Sequence, residues 1–269
     1  MKVSMLRLVC ALAAAGCATA GVLAQPTSSP ASQPKATPAP EQPKAPETPQ
    51  AQKESYVELQ TSMGNILVEV DGEKAPISAA NFLTYVKEGF YDGTVFHRII
   101  NGFMIQGGGF TAGDKTAGSP EVVEKKPTHA AIKNEWTNGL KNKRGTIAMA
   151  RTPDPNSATS QFYINVADND GTGPAHVNLD RPSGAPGQEA AYAVFGKVVA
   201  GMDVVDKIKA VTTHVASMGP GRSMRDVPAT PVVIQKARTV SEEDAKKMMK
   251  DSDKESKPAE KPADKGGGK

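Results

Sequence analysis

The stretch from Phe96 to Phe110, FHRIINGFMIQGGGF, constrains the fold of this chain more than any other segment. Apolar residues surround a single arginine, Arg98, and the stretch ends in a glycine run that permits close backbone approach or a positive φ. A buried charge is costly unless something polar meets it, and an isolated strand arginine usually extends its charged end to solvent. Here Phe103, Met104 and Gln106 follow closely, which predicts an apolar cup with one cation and one amide beside it.

Short alternating segments occupy the region from 54 to 240. Val57 and Leu59 alternate with polar residues, and a turn at Gly64 leads to a second alternating run, which predicts a hairpin. Short strands are also expected at 144–151, 160–166, 192–199 and 231–237, with irregular regions at 111–142 and 168–188. Helical patterns begin at Pro76, with Ile77 directed inward, and span 202–211. Many short strands with two helices predict a mainly β barrel or sandwich.

The motif FHRxIxGFMxQGG within the opening stretch is similar to the signature of the cyclophilins, which are peptidyl-prolyl cis-trans isomerases. Three further blocks resemble cyclophilin segments in the same order: GTIAMA at 145–150, SQFYIN at 160–165 and VFGKV at 194–198. The resemblance runs from Tyr56 to about Val240, and YAVFG at 192–196 looks like the bacterial periplasmic branch. It implies an eight-stranded antiparallel barrel capped by two helices and an isomerase without metal or other cofactor.

The resemblance also implies roles for individual residues. Arg98 matches the catalytic arginine, and Gln106 matches the amide that assists it. The residues that match the substrate-binding face are Phe103, Met104, Ala150, Arg151, Gln161, Tyr163, Leu179 and Tyr192. The implied partners are proline-containing peptides and unfolded protein chains.

Four departures from the family pattern lie near this face. Asn178 stands where cyclosporin-sensitive members have tryptophan, and Arg181–Glu189 resembles an insertion rich in proline and glycine. Arg151 replaces a more familiar asparagine, and Tyr163 replaces a phenylalanine. We expect these departures to alter substrate preference and drug sensitivity more than catalysis.

The first 24 residues predict an export signal. Lys2 and Arg7 precede a short apolar run, and small residues near Ala20 and Ala24 suit signal-peptide cleavage. The segment ending at Cys17 also resembles, in part, the lipobox of bacterial lipoproteins. We therefore expect an exported protein, with periplasmic release and lipid anchoring at Cys17 both left open.

Two further segments have compositions typical of disorder. Residues 25–53 are rich in proline, alanine and glutamine, which predicts an extended linker. Residues 241–269 mix lysines with acids, which favours a disordered tail over a short helix at Glu242–Lys250. The expected organisation is signal peptide 1–24, linker 25–53, folded domain 54–240 and tail 241–269.

Several other functions find little support in the sequence. The four histidines lack metal-ligand spacing, and no GxSxG, HExxH or P-loop motif is present. A net charge of +3 does not suggest a nucleic-acid partner. We expect a monomer. The alternative to an isomerase is a non-catalytic peptide-binding or chaperone module on the same fold.

Overall fold

A curled antiparallel sheet of eight strands forms the domain in the computed structural model, which describes residues 55–114, 116, 119–184 and 189–255. The elements in chain order are β1 Ser55–Thr61, β2 Gly64–Val70, α1 Pro76–Lys87, β3 Arg98–Ile100, β4 Met104–Gly107, β5 Phe110–Ala112, β6 Val122–Glu124, β7 Thr146–Met149, β8 Phe162–Asn165, β9 Val194–Ala200, α2 Met202–Lys209, β10 Thr213–Ser217, β11 Ser223–Pro228, β12 Ile234–Val240 and α3 Glu242–Glu255.

The large sheet has the strand order β12-β1-β2-β9-β7-β8-β4-β3, and segments beside its two edge strands hydrogen-bond to each other. Gly93 N donates to the carbonyl of Ile234 at 2.8 Å, and Phe96 N donates to that of Val232 at 2.9 Å. These bonds join the edges, so the predicted eight-stranded antiparallel barrel is confirmed.

Helices α1 and α2 pack against the main core, as predicted. Phe82 of α1 is fully buried and meets Phe162 and Phe195 at ring centroid distances of 5.4 and 5.2 Å. Ile77, expected inside, is 38% exposed because the inward face of α1 is set by Phe82 and by Tyr85. Aromatic rings bury more apolar area than an isoleucine at the first turn, so they determine the rotation of the helix.

A carboxylate from a distant loop caps α1. The residue before the helix, Ala75, has no side-chain oxygen to offer. Glu135 instead accepts hydrogen bonds from Ile77 N at 3.0 Å, Ser78 N at 2.8 Å and Ser78 Oγ at 2.7 Å. An anion at this position also interacts favourably with the helix dipole.

The third helix, α3, departs from the expectation of a disordered tail after 241. Ser241 Oγ accepts from Asp244 N at 3.1 Å, which caps the helix in the way serine typically does. Ala245 is fully buried against Tyr56 and Leu67. The apolar residues Ala245, Met248 and Met249 are three and four positions apart and therefore share one face of the helix. The surrounding charged residues outnumber them, so the sequence pattern favoured disorder.

Two small hairpins, β5–β6 and β10–β11, lie in regions where no strand was predicted. The predicted signal peptide, the lipobox at Cys17 and the linker 25–53 all lie outside the described residues, as does 256–269. None of the helices in the described ranges is long and apolar enough to cross a membrane.

Candidate active site

Strand register places Arg98 in a row of residues that crosses five strands of the barrel. Arg98 pairs with Gln106 on β4, and Gln106 pairs with Tyr163 on β8; Ala148 and Val194 continue the row. The adjacent row consists of buried isoleucines that belong to the main core, namely Ile99, Ile105, Ile164 and Ile147. Since side chains alternate between faces of a strand, the Arg98 row faces the outside of the barrel.

An apolar cluster on this outer face contains most of the predicted substrate-binding residues. Its members are Met104, Ala148, Ala150, Tyr163 and Val194, with Ile100, Phe103, Leu140, Leu179 and Tyr192 partly buried against them. Strict alternation would separate Phe103 from Met104. Gly102 prevents this because it bends the chain at φ 78°, and Phe103 N donates to the Ile100 carbonyl at 3.1 Å. Phe103 therefore packs with Met104 and Tyr163 in one cup.

Two glutamines lie beside the cup, next to Arg98. Gln106 Nε2 donates to Gln161 Oε1 at 3.0 Å, which fixes the orientation of both amides. The side chain of Arg98 is 38% exposed, so its charge remains partly hydrated. Its Nε lies 4.0 Å from Asp226 Oδ2, a contact that was not predicted from the sequence. The structure thus brings together one cation, two amides and an apolar cup.

Arg151 has a different environment from Arg98. Its guanidinium lies 4.5 Å from the centroid of the Tyr192 ring, a cation–π arrangement. It also donates to the carbonyl of Thr152 at 2.9 Å and to that of Ala190. Ala150 N donates to the Gln161 carbonyl at 2.9 Å within the barrel. The Arg151 side chain therefore supports Tyr192 at the edge of the cup.

A buried network of polar side chains, here called the asparagine network, lies behind the cup. Its residues are Asn142, Asn165 and Asn169, all with no exposed surface, together with Tyr163 and Asp180. Tyr163 Oη donates to Asn142 Oδ1 at 2.8 Å, and Asn142 Nδ2 donates to Asp180 Oδ1 at 2.8 Å. Burial raises the pKa of Tyr163 well above its ordinary value, so its hydroxyl stays a neutral donor.

The asparagine network also reaches the backbone of the cup. Asn169 Nδ2 donates to the Phe103 carbonyl at 2.8 Å, and Leu179 N donates to the Asn169 carbonyl at 2.7 Å. Tyr192 N in turn donates to the Leu179 carbonyl at 3.0 Å. Three walls of the cup are therefore tied to one polar cluster. Sequence reasoning missed this role, because isolated asparagines in loops look like ordinary turn residues.

His97, next to Arg98, is a second residue that the sequence analysis did not assign to the site. Its side chain is almost fully buried, and its ring lies 4.5 Å from that of Phe110. Burial, with a smaller contribution from the Arg98 charge, lowers the pKa of His97 to about 4, while hydrogen bonds to the Val95 backbone and the Gln161 side chain oppose part of the shift. At neutral pH the imidazole is therefore uncharged and contacts the glutamine that holds Gln106.

Among the described residues, no three His, Cys, Asp or Glu side chains are grouped so as to hold a metal ion.

Comparison with known proteins gives a consistent set of relatives. The family model described as cyclophilin type peptidyl-prolyl cis-trans isomerase/CLD matches residues 56–239. The chain is 51% identical over 180 residues to a peptidyl-prolyl cis-trans isomerase of Acinetobacter baylyi, covering 67% of this chain and 82% of that protein. It is 50% identical over 186 residues to peptidyl-prolyl cis-trans isomerase B of Escherichia coli, covering 69% of this chain and 99% of that protein.

A solved structure is also similar to this chain. A cyclophilin type peptidyl-prolyl cis-trans isomerase of Cryptosporidium parvum is 23% identical and aligns with a TM-score of 0.49, covering 70% of this chain and 98% of that one.

Proposed function

The chain belongs to the cyclophilin-type peptidyl-prolyl cis-trans isomerases, and we propose that it uses Arg98 and the neighbouring cup to assist folding of exported proteins in the cell envelope. The isomerase activity rests on family membership and on bacterial relatives at about half identity. The residue roles and the cellular setting are our proposal. The observation that carries them is the direct pairing of Arg98 with Gln106 beside the apolar cup.

The chemistry requires rotation about a bond and no bond cleavage. Conjugation of the imide nitrogen with its carbonyl creates a barrier of about 18–20 kcal/mol. An enzyme lowers it by binding the twisted imide more tightly than either planar isomer. Phe103, Met104, Tyr163 and Leu179 hold the proline ring, while Arg98 donates a hydrogen bond to the imide nitrogen. That nitrogen accepts only when conjugation is lost, so the bond favours the twisted state.

The required stabilisation is of a size that this site can provide. Uncatalysed exchange takes roughly tens to hundreds of seconds. Raising the rate to about a hundred per second requires about 5 kcal/mol, at 1.36 kcal/mol per tenfold change. A charge-assisted hydrogen bond in a partly dry site, together with orientation of the substrate, supplies that order. Gln106, held by Gln161, orients the substrate carbonyl or Arg98 itself.

The envelope setting is supported by the first 24 residues, which have the composition of an export signal. The test is mass spectrometry of the mature protein from fractionated cells. A free N-terminus at Gly21 or Gln25 supports release into the periplasm, and a lipidated Cys17 supports membrane anchoring. A full-length protein that begins at Met1 in the cytoplasmic fraction would contradict the proposal.

A second candidate is a peptide-binding or chaperone module without catalysis. The observation that favours it is Asn178, which places an amide where relatives sensitive to cyclosporin have an aromatic side chain. Asn178 Oδ1 accepts a hydrogen bond from Asp180 N at 3.0 Å. The two candidates are distinguished by the refolding of a substrate protein whose slow phase is limited by proline isomerisation. An enzyme accelerates the slow phase at substoichiometric amounts, and Arg98→Ala abolishes that effect. A chaperone improves the yield in proportion to its amount, with or without Arg98.

A further inference from the structure

The hairpin β10–β11 lies beside the arginine strand of the active site, because β11 packs next to β3. This hairpin lies outside the eight-stranded barrel and is held to the β5–β6 hairpin by a contact between His214 Nε2 and Glu121 Oε2 at 2.9 Å. It carries Asp226, the residue that meets Arg98.

A β-bulge interrupts the hairpin at Asp226. His214 pairs with Val227 and Ala216 pairs with Met224, so the single residue Val215 opposes both Arg225 and Asp226. A bulge leaves an extra residue in one strand and changes the direction in which its side chain points, and bulges are frequent next to active sites. The extra residue here is an aspartate with a defined partner.

The backbone at Asp226 has a left-handed conformation, with φ of 62°. Non-glycine residues seldom adopt this conformation, although aspartate and asparagine tolerate it better than most. A backbone of this kind persists only where its surroundings impose it, and such positions cluster at functional sites. The bulge and the positive φ together direct the carboxylate toward the arginine.

The contact itself joins one oxygen of Asp226 to Nε of Arg98 at 4.0 Å, with the two side chains 40% and 38% exposed. An arginine side chain has several rotatable bonds, and holding its planar guanidinium in one orientation costs conformational entropy. A carboxylate near Nε restricts that motion. The terminal nitrogens are separate donors and stay chemically available for a substrate.

We propose that Asp226 is a positioning residue for catalysis: the bulge in β11 places its carboxylate beside Nε of Arg98 and thereby orients the guanidinium toward the proline cup. This inference rests on the proposed role of Arg98 and extends it to a hairpin outside the barrel. Asp226 does not contact the substrate. It acts by reducing the conformational freedom that Arg98 loses in the transition state.

The test compares prolyl exchange rates of wild type, Asp226→Asn and Asp226→Gly on a short Ala-Pro peptide. Both substitutions remove the charge and accept a positive φ, so the bulge is retained. We expect kcat to fall about threefold to fivefold in both variants with little change in KM, which is the scale of a half-exposed ion pair. The Arg98 Nε–Hε NMR signal is expected to show greater mobility of the side chain in both variants.

The control variant is Asp203→Asn, which removes an exposed carboxylate paired with Lys207 on α2. It is expected to leave the exchange rate unchanged.

Each outcome bears on the inference separately from the proposed function. In an Arg98→Ala background, Asp226→Asn is expected to have no further effect. A rate that is unchanged or raised by Asp226→Asn overturns the positioning role, as does an equal fall in the Arg98→Ala background. If Arg98→Ala alone keeps the wild-type rate, the proposed chemistry fails first and the role of Asp226 fails with it.

Discussion

Replacing Asn142 with leucine is expected to destabilise the domain far more than a change of similar shape normally would. The Asn142 side chain accepts from Tyr163 Oη at 2.8 Å and from Asn165 Nδ2 at 3.2 Å, and it donates to Asp180 Oδ1 at 2.8 Å. Leucine has nearly the same size and none of these hydrogen bonds. The substitution therefore leaves the Tyr163 hydroxyl without an acceptor in the protein interior and removes one hydrogen bond each from Asn165 and Asp180. Asn165 Nδ2 still donates to Thr146 Oγ1, and Asp180 Oδ1 still accepts from Asn142 N.

The magnitude follows from one stranded hydroxyl and two further lost hydrogen bonds. A buried polar group without a partner costs about 1–3 kcal/mol, and more when it is charged. The stranded Tyr163 hydroxyl together with the two other lost hydrogen bonds, at about 1 kcal/mol each, gives about 3–5 kcal/mol. This is a large part of the roughly 5–15 kcal/mol that stabilises a typical domain. Tyr163→Phe is the matched control. It removes one hydrogen bond, worth about 1 kcal/mol, while Asn142 Oδ1 still accepts from Asn165.

Urea unfolding followed by the fluorescence of Trp136, the single tryptophan of the chain, measures both variants. We expect Asn142→Leu to lower the midpoint severely and Tyr163→Phe to lower it slightly. An Asn142→Leu variant within about 1 kcal/mol of wild type would refute the reasoning, because a stranded hydroxyl and two further lost hydrogen bonds should together cost more than that. Equal costs for the two variants would also refute it, since the hydroxyl would then be the only member that matters.

Four other substitutions test separate parts of the account. Glu135→Ala removes the cap of α1 and is expected to cost about 1–2 kcal/mol in thermal unfolding. For His97, the folded pKa of about 4 lies below the ordinary 6.5, so the unfolded state binds the proton first and stability is lost as pH falls through this window. That loss amounts to about 3 kcal/mol, and His97→Gln is expected to flatten the pH dependence of unfolding. Ala245→Asp buries a charge under α3 and is expected to cost at least about 2 kcal/mol, with prolyl exchange unchanged in the folded protein. Wild type is expected to bind cyclosporin weakly, and Asn178→Trp is expected to tighten binding about tenfold in a titration, the value of one buried aromatic ring.

The sequence contained enough to predict the barrel, because its strands follow an alternating pattern and its motif resembles a known family. It also predicted that Arg98 and Gln106 lie side by side, since both belong to one short stretch with a bend between them. The alternation rule alone would have put Phe103 on the wrong face, and only the positive φ at Gly102 resolves that conflict.

Other parts of the site depend on contacts between distant residues and could not be predicted. Asn142 and Asp180 are far apart in the chain, and neither has a local pattern that marks it as buried. Asp226 comes next to Arg98 only because a hairpin without a strand pattern folds against β3. In α3, the charged composition outweighed the few apolar residues that bind the helix to the sheet. Such contacts exist only after the barrel has formed.

The role of Arg98 is the central claim, and NMR exchange spectroscopy on an Ala-Pro peptide tests it most directly. The wild-type protein, Arg98→Ala and Asp203→Asn are compared at equal concentration, with the last as a control for loss of an exposed charge partner. We predict rapid exchange with wild type and with Asp203→Asn, and a fall of at least about tenfold with Arg98→Ala, which corresponds to 1.36 kcal/mol of transition-state stabilisation. Equal exchange with Arg98→Ala and wild type would contradict the account, because the charge beside the cup would then have no part in the reaction.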